Sequence, residues 1–300
     1  KPVEKRDLVR YVIKKFQLSI RQACKIFNIS TSVFYYKPKL NNDHEIVTTL
    51  NELAISNGDW GFWKMYKRMR HLGMLWNHKR VYRVYTALGM NLRRKCKKRL
   101  PSRVKDPLVT PIAPNVTWSM DFMHDTLVTG RKYRTLNLID DFNREVLGVT
   151  IDTSINSLRV VKELNKLIEW RGKPERIRVD NGPEFIAHTL TDWAKSNNIR
   201  ITFIQPGKPT QNSYVERFNK SYRNGVLSAY LFENLEQVRQ LTNDWVWKYN
   251  NIRPHDSLLD LTPIEFLLKY GKVKDFPTLQ QDISINSNEF ENCIYLDVAN

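Results

Sequence analysis

The chain has 300 residues, enough for two or three domains with a sizeable core, and its 41% hydrophobic and 11% aromatic content excludes a disordered polymer. A formal net charge of +17 points to a polyanionic partner, nucleic acid above all, because neutralising phosphates releases condensed counterions. No apolar run is long enough to span a membrane, Cys24, Cys96 and Cys293 are too scattered for a disulfide framework, and the six histidines lack zinc-finger spacing.

The opening KPVEKRDLVRYVIKK carries no apolar signal segment, which predicts a cytoplasmic protein; it begins without Met, so a trimmed start is expected. In LSIRQACKIFNISTSVFYYKP, Ile20, Ala23 and Phe27 share a helical stripe that breaks at Asn28 to Ser30 and resumes toward Tyr36. That pattern predicts a helix-turn-helix over residues 1–40. A second helical pair is expected within 41–90, with Phe62, Tyr66 and Met69 on one helix and Val81, Val84, Tyr85 and Leu88 on the next. Most such hairpins bind no DNA, but Lys64, Lys67, Arg68, Arg70, Lys79, Arg80 and Arg83 favour DNA contact here.

Residues 91–105 hold eight Lys or Arg and no acid, including Arg93, Arg94, Lys95, Lys97, Lys98 and Arg99. Like charges repel, so this stretch reads either as a solvated linker or as one ordered by phosphates, and we take 91–114 as a DNA-tracking linker. From Val116 the period changes to that of strands. TWSMDFMHDTLV, YRTLNLIDDF and REVLGVTID predict an antiparallel meander turning at Gly130 and Asn143. A helix from Ser157 to Trp170 follows, with Leu158, Val161, Leu164 and Ile168 inward, then strand RIRVDNG, a helix from Ala187 to Ser196, strand RITFIQ and a helix through Glu216. The order βββαβαβα is a mixed α/β sheet occupying 115–270. A further helix from Leu235 to Asn250 and a compact cap complete it, and an acidic tail covers 271–300.

Three carboxylates stand out, each with an ordinary explanation. Asp121 lies mid-strand, where a charge is costly unless it faces solvent, is paired or binds metal. Asp180 precedes Asn181 and Gly182, a turn sequence in its own right. Glu216 completes a Ser213-x-x-Glu216 capping box and could pair with Lys220 at i,i+4. Topology favours a joint role: the middle of the first strand and the end of the fourth become neighbours at the sheet centre, and the Glu216 helix packs across them. Converging carboxylates raise one another's pKa unless a cation is present. Oxygen ligands of this kind suit Mg²⁺ or Mn²⁺, and two such ions roughly 3.5–4 Å apart stabilise the attacking and leaving oxygens of a phosphoryl displacement.

TWSMDFMHD, IRVDNGPEF and PGKPTQNSYVERFNKSYR, with 35 residues between Asp180 and Glu216 and a basic residue seven after the Glu, resemble the catalytic core of DDE transposases and retroviral integrases. The likeness is greater to the second-reading-frame (OrfB) product of bacterial insertion sequence three (IS-three) family transposases, and with NHKRVYRVYTALGMNLRRK and YNNIRPHDSLLDLTPIEF it covers residues 18 to 268. It implies an RNase H-like fold in which Asp121, Asp180 and Glu216 are catalytic metal ligands for two Mg²⁺ or Mn²⁺ ions. Lys220 and Arg223 would hold end DNA, and Asn181, Gly182 and Glu184 would shape the loop after the second Asp, with Glu184 a possible substitute ligand. Trp118 reads as core, and the rival pair Asp140 and Asp141 as a strand-end turn. The resemblance further implies terminal inverted repeats and target DNA as partners, at least a homodimer, an upstream-frame protein and a bacterial, nucleoid-associated location. GDWGFWKMY departs from the family's usual Tyr-Gly-Tyr, which leaves the contacts of the second hairpin open. A structure-specific nuclease and a non-catalytic DNA-binding regulator are the competing readings.

Overall fold

The computed structural model describes residues 2–37, 43–92, 110–205 and 212–271. Two compact units divide the chain, Lys1–Thr48 and Thr49–Asn300. The predicted basic linker residues Arg93, Arg94, Lys95, Lys97, Lys98 and Arg99, and the tail after Gly271, lie outside the described residues.

In the first unit α1 (Pro2–Phe16), α2 (Ile20–Ile26) and α3 (Thr31–Tyr35) close on Val9, Ala23 and Cys24, with Ile13, Ile20, Phe27 and Phe34 around them. Ser19 and Gln22 form a capping box at the start of α2, and the Ser30 hydroxyl accepts the Val33 amide to start α3. Between the two helices Asn28 turns the chain with φ +48°. The break expected at Asn28 to Ser30 is therefore the turn between two short helices.

Helix α4 (His44–Ser56) leads into α5 (Phe62–His71) and α6 (His78–Ala87), which belong to the second unit. Phe62, Met65 and Met69 of α5 and Val81, Val84 and Tyr85 of α6 are buried. Five strands follow: β1 (Thr117–Thr126), β2 (Lys132–Asp140), β3 (Val146–Asp152), β4 (Arg176–Val179) and β5 (Arg200–Phe203), in the order β3-β2-β1-β4-β5. The first three pair antiparallel, and β4 joins β1 in parallel after the crossover helix α7 (Ser157–Arg171). The mixed sheet is the one expected.

Alternation along β1 splits the core in two. Trp118 and Met120 face one layer with Leu136, Leu138, Val160, Leu164, Ile177, Phe185 and Leu190, supplied by α7, α8 (Pro183–Ile186) and α9 (His188–Ser196). Met123 faces the other with Ile139, Val215, Phe218, Tyr222 and Val238, supplied by α10 (Ser213–Tyr222) and α11 (Leu235–Asn251). Helix α12 (Pro263–Tyr270), started by a Thr262–Glu265 capping box, ends the described chain. One inward assignment fails: Leu158, in the first turn of α7, is exposed, while Val160 and Leu164 are fully buried. The buried stripe begins two residues later, at Val160.

The polar floor of the sheet is an interlocked network. Asp140 accepts the Asn115 and Phe142 amides at 2.8 Å each, and Asp141 takes Ser119 Oγ and Arg178 Nη1 at 2.6 Å each. Both acids are fully buried. Buried Arg171 and Glu145 pair beside them. Asp140 and Asp141 thus organise the strand end, as the turn reading held, though deep inside rather than at a solvated bend.

Candidate active site

Asp121 sits in the centre of β1 opposite Asn137 of β2. On the other side β1 pairs with β4 in a register that joins Trp118 to Ile177 and Ser119 to Arg178. Carried two residues further, the same register sets Asp180, immediately after β4, level with Asp121. Helix α10 packs on β1 and β2 and brings Glu216 over them. Sequence positions 121, 180 and 216 thus reach one region through a parallel pairing and one crossing helix.

Electrostatics ties them together. Asp121 is raised to about 6, first by burial, then by the Asp180 charge, with Glu216 adding to it. Bonds from the Phe122 amide and from Asn219 oppose that rise. Glu216, solvent-facing on α10, is raised by partial burial. Asp180 accepts the Gly182 amide at 3.0 Å, and Asn181 Nδ2 donates to the Ile204 carbonyl at 3.1 Å, so the Asp-Asn-Gly loop is folded around the carboxylate. A Cβ on Gly182 would stand 3.0 Å from Asp180 Oδ1, so a larger residue would crowd the carboxylate.

Asp121 feels the charges of Asp180 and Glu216, yet the three carboxylates do not close on a common point. Among the described residues no three Asp, Glu, His or Cys side chains stand close enough to hold a metal ion. Like charges repel at contact distance, and Asp121 and Asp180 accept hydrogen bonds from local donors instead. The donor set still fits a hard divalent cation, since it is made of oxygens alone and Asp121 carries the raised pKa that a neighbouring positive charge would relieve.

The ordinary explanations of Glu216 do not survive. Ser213 is the first helical residue rather than the cap; Asn212 takes the cap position without a side-chain capping bond and donates instead to the Met120 carbonyl. Among the described ion pairs there is none between Glu216 and Lys220. Glu184 is engaged by Arg134, whose hydrogen bond holds its carboxyl below the usual range.

The basic residues separate. Lys220 is exposed beyond Glu216 on α10. Arg223, where α10 passes into a π-helical turn (Arg223–Leu227), bonds Asp125 Oδ2 at 3.2 Å and the His124 carbonyl at 2.9 Å. On α6, Lys79 and Arg83 are exposed opposite the buried stripe and Arg80 is half-buried. Lys67 of α5, expected among the DNA contacts, bonds Asp256 at 2.6 Å and also holds Asp260, so it ties the hairpin to the cap instead.

Sequence reading missed Asn219 and Asn137. Asn219 lies three residues after Glu216 and reaches Asp121, and its partner Asn137 is fully buried. No local pattern marks them, because both meet Asp121 only through the packing of α10 and β2 against β1.

Comparison with known proteins identifies the family. Residues 111–209 and 197–263 match two models described as integrase core domain. The insertion element IS407 uncharacterized 31.7 kDa protein of Burkholderia multivorans is 35% identical over 90% of this chain and 98% of its own. The insertion element IS476 uncharacterized 39.2 kDa protein of Xanthomonas euvesicatoria is 34% identical over 90% of this chain and 78% of its own. Among solved structures, a chain of the simian T-cell lymphotropic virus intasome bound to PP2A regulatory subunit B56 gamma superposes with a TM-score of 0.51 at 21% identity, covering 70% of this chain and 77% of that one. That likeness concerns the fold, which is RNase H-like.

Proposed function

The chain belongs to the integrase-core transposases of insertion sequences, of the insertion sequence three (IS-three) type, and we propose that it cuts and rejoins DNA at the element's terminal inverted repeats through Asp121, Asp180 and Glu216. The observation that carries this reading is the parallel β1–β4 register, which brings Asp180 level with Asp121 beside the helix that bears Glu216; the pKa of Asp121, raised by burial and then by both other carboxylates, agrees with it.

Asp121 is the fixed ligand, since the Phe122 amide and Asn219 hold its two oxygens. Asp180 is set by the tight Gly182 loop, and Glu216 approaches on a solvent-facing helix turn. A divalent ion, Mg²⁺ or Mn²⁺ and two per site, would supply Lewis-acid stabilisation of the attacking and leaving oxygens when bound. The residues themselves place a phosphodiester against that edge, with Lys220, Arg223 and the α6 cations Lys79, Arg80 and Arg83 as backbone contacts. In cleavage, water forms a P–O bond as the 3′ oxygen leaves as a hydroxyl; that hydroxyl then attacks a second phosphodiester, where again one P–O bond forms as another breaks, so no nucleotide cofactor is consumed. We read the route as copy-out/paste-in, with at least a dimer holding the two ends.

Labelled DNA carrying the element's own terminal repeat, incubated with Mg²⁺ or Mn²⁺, tests this with wild type, Asp121→Asn, Asp180→Asn and Glu216→Gln. Loss of cleavage and joining in all three variants, with binding intact, is the expected result. Cleavage without joining in the wild type would make the protein a nuclease, and binding without chemistry would make it a regulator. Cleavage that persists in Glu216→Gln would remove Glu216 from the site.

A further inference from the structure

A second crowded group of titratable side chains lies where α5 meets the segment after α11. Arg253 Nη1 pairs with Asp59 Oδ2 at 2.9 Å, and Lys67 takes Asp256 and Asp260. Each of these three carboxylates is therefore already matched to a cation. What is left over is positive.

Lys64 of α5 is half-buried, and among the described residues neither a hydrogen bond nor an ion pair holds its ammonium. Burial pushes it down to about 8, with Arg253 and Arg217 pushing the same way and Asp256 and Asp59 only partly offsetting them. Arg217, the residue after Glu216 on α10, is exposed, and among the described residues no hydrogen bond or ion pair occupies its guanidinium. His255 is sealed under the same cations, which together with burial bring its pKa to about 3; its Nε2 is buried without a partner. A half-buried ammonium with no hydrogen bond among the described residues and a buried, unsatisfied imidazole nitrogen are each costly, and the two groups interact.

The missing component is an anion with its hydration. Four cations, Lys64, Lys67, Arg217 and Arg253, face three carboxylates, so one further negative charge balances the group. A tetrahedral phosphodiester suits it: Lys64 and Arg217 offer donors from two elements, and a water shared with the phosphate supplies a hydrogen to His255 Nε2. Arg253, committed to Asp59, contributes charge rather than a free donor.

We propose that Lys64 and Arg217, backed by Arg253 and His255, form a subsite for one backbone phosphate of bound DNA, so that the α5–α6 hairpin and the catalytic helix grip the same strand. The proposal rests on the transposase reading for its source of phosphate. It also gives GDWGFWKMY, the stretch that departs from the family pattern, a role, since Asp59 and Lys64 lie within it.

The full chain decides it through two arms. In the first, thermal unfolding is followed in inorganic phosphate and in chloride of equal ionic strength; phosphate raises the midpoint of wild type and Lys64→Arg but not of Lys64→Gln. In the second, binding to a random-sequence duplex is measured against salt, and Lys64→Gln and Arg217→Gln each lower the slope of log K against log salt by about one. An unchanged slope in both variants overturns the proposal, and phosphate stabilisation with unchanged slopes overturns it in favour of a free-anion site. Should Lys64→Gln not fold, exposed Arg217→Gln carries both arms. A wild type that binds no duplex defeats the transposase reading, and the phosphate arm then still reports on the anion site by itself.

Discussion

Asn219 donates an Nδ2 hydrogen to Asp121 Oδ2 at 2.7 Å, while its own Oδ1 accepts from Asn137 Nδ2 at 2.6 Å. Asn137 stands directly across the β1–β2 ladder from Asp121. The carboxylate is thus oriented by a two-residue relay that joins the catalytic helix to the neighbouring strand.

Removing the middle of that relay strands both ends. Asn219→Ala leaves a carboxylate oxygen and a buried amide unpaired, which costs about 1–3 kcal/mol of stability. Partners that orient metal ligands are worth about 10–100-fold in metal affinity or activity. We expect cleavage of pre-bound DNA to fall by that factor while duplex affinity holds. Full cleavage by a folded Asn219→Ala protein would show that Asp121 needs no such support.

Asp121 also makes metal binding depend on pH. Its folded pKa, about 6, lies above its ordinary 3.8, chiefly through burial and the Asp180 charge. In the metal-free protein the group's favourable contribution is therefore complete below about 3.8 and lost as pH rises through about 6. A divalent ion needs the ionised form, so protons compete with it in that range. Saturating Mn²⁺ should raise the unfolding midpoint at pH 7.5, with the gain shrinking as pH falls through about 6 and absent in Asp121→Asn. A Mn²⁺ effect that is the same at pH 5 and pH 7.5 would contradict the assignment.

Much of this arrangement could be read from residue order. The five strands were visible as β-branched and aromatic runs, and the parallel β1–β4 pairing followed from a crossover helix, so Asp121 and Asp180 could be placed side by side. Glu216 was harder, because Ser213 three residues earlier imitates a capping box; moving the cap by one residue, to Asn212, dissolves it. The Asn137–Asn219 bond spans 82 positions and depends on the angle at which α10 crosses β2, which no local pattern encodes. Helix α8 has only four residues and is held by buried Phe185, too short for periodicity to reveal. Charge was legible as a total but not by position: Lys67 reads as a DNA contact until the cap brings Asp256 and Asp260 to it.

Arg223 offers a separate test of how the DNA edge is set. Its guanidinium is occupied by Asp125 and the His124 carbonyl, so a phosphate must compete with Asp125 for it. Asp125→Asn removes the competing charge and keeps the local fold. Because the pair is partly exposed, the gain should be modest, a few-fold tighter duplex binding at low salt that fades as salt rises. Arg223→Gln should weaken binding in the same assay. If Asp125→Asn instead weakens binding, the pair aims Arg223 at the phosphate rather than withholding it.

The π-helical turn that ends α10 depends on Gly225. A Cβ there would stand 2.4 Å from Trp245 Nε1 and 3.0 Å from Cε2, so only glycine lets the indole lie against the turn. Trp245 in turn packs against Phe218 and Tyr222, with ring centroids 5.9 and 5.5 Å away, on the helix that carries Glu216. Gly225→Ala must displace the indole or the turn, at a cost of about 1–3 kcal/mol for overpacking. Trp245→Phe opens space at the same point, so the double variant should be less destabilised than the two single losses added together, as residues in contact couple. Urea unfolding of the four proteins measures this. Strictly additive losses would mean that Gly225 serves the backbone of the turn and not the seat of Trp245.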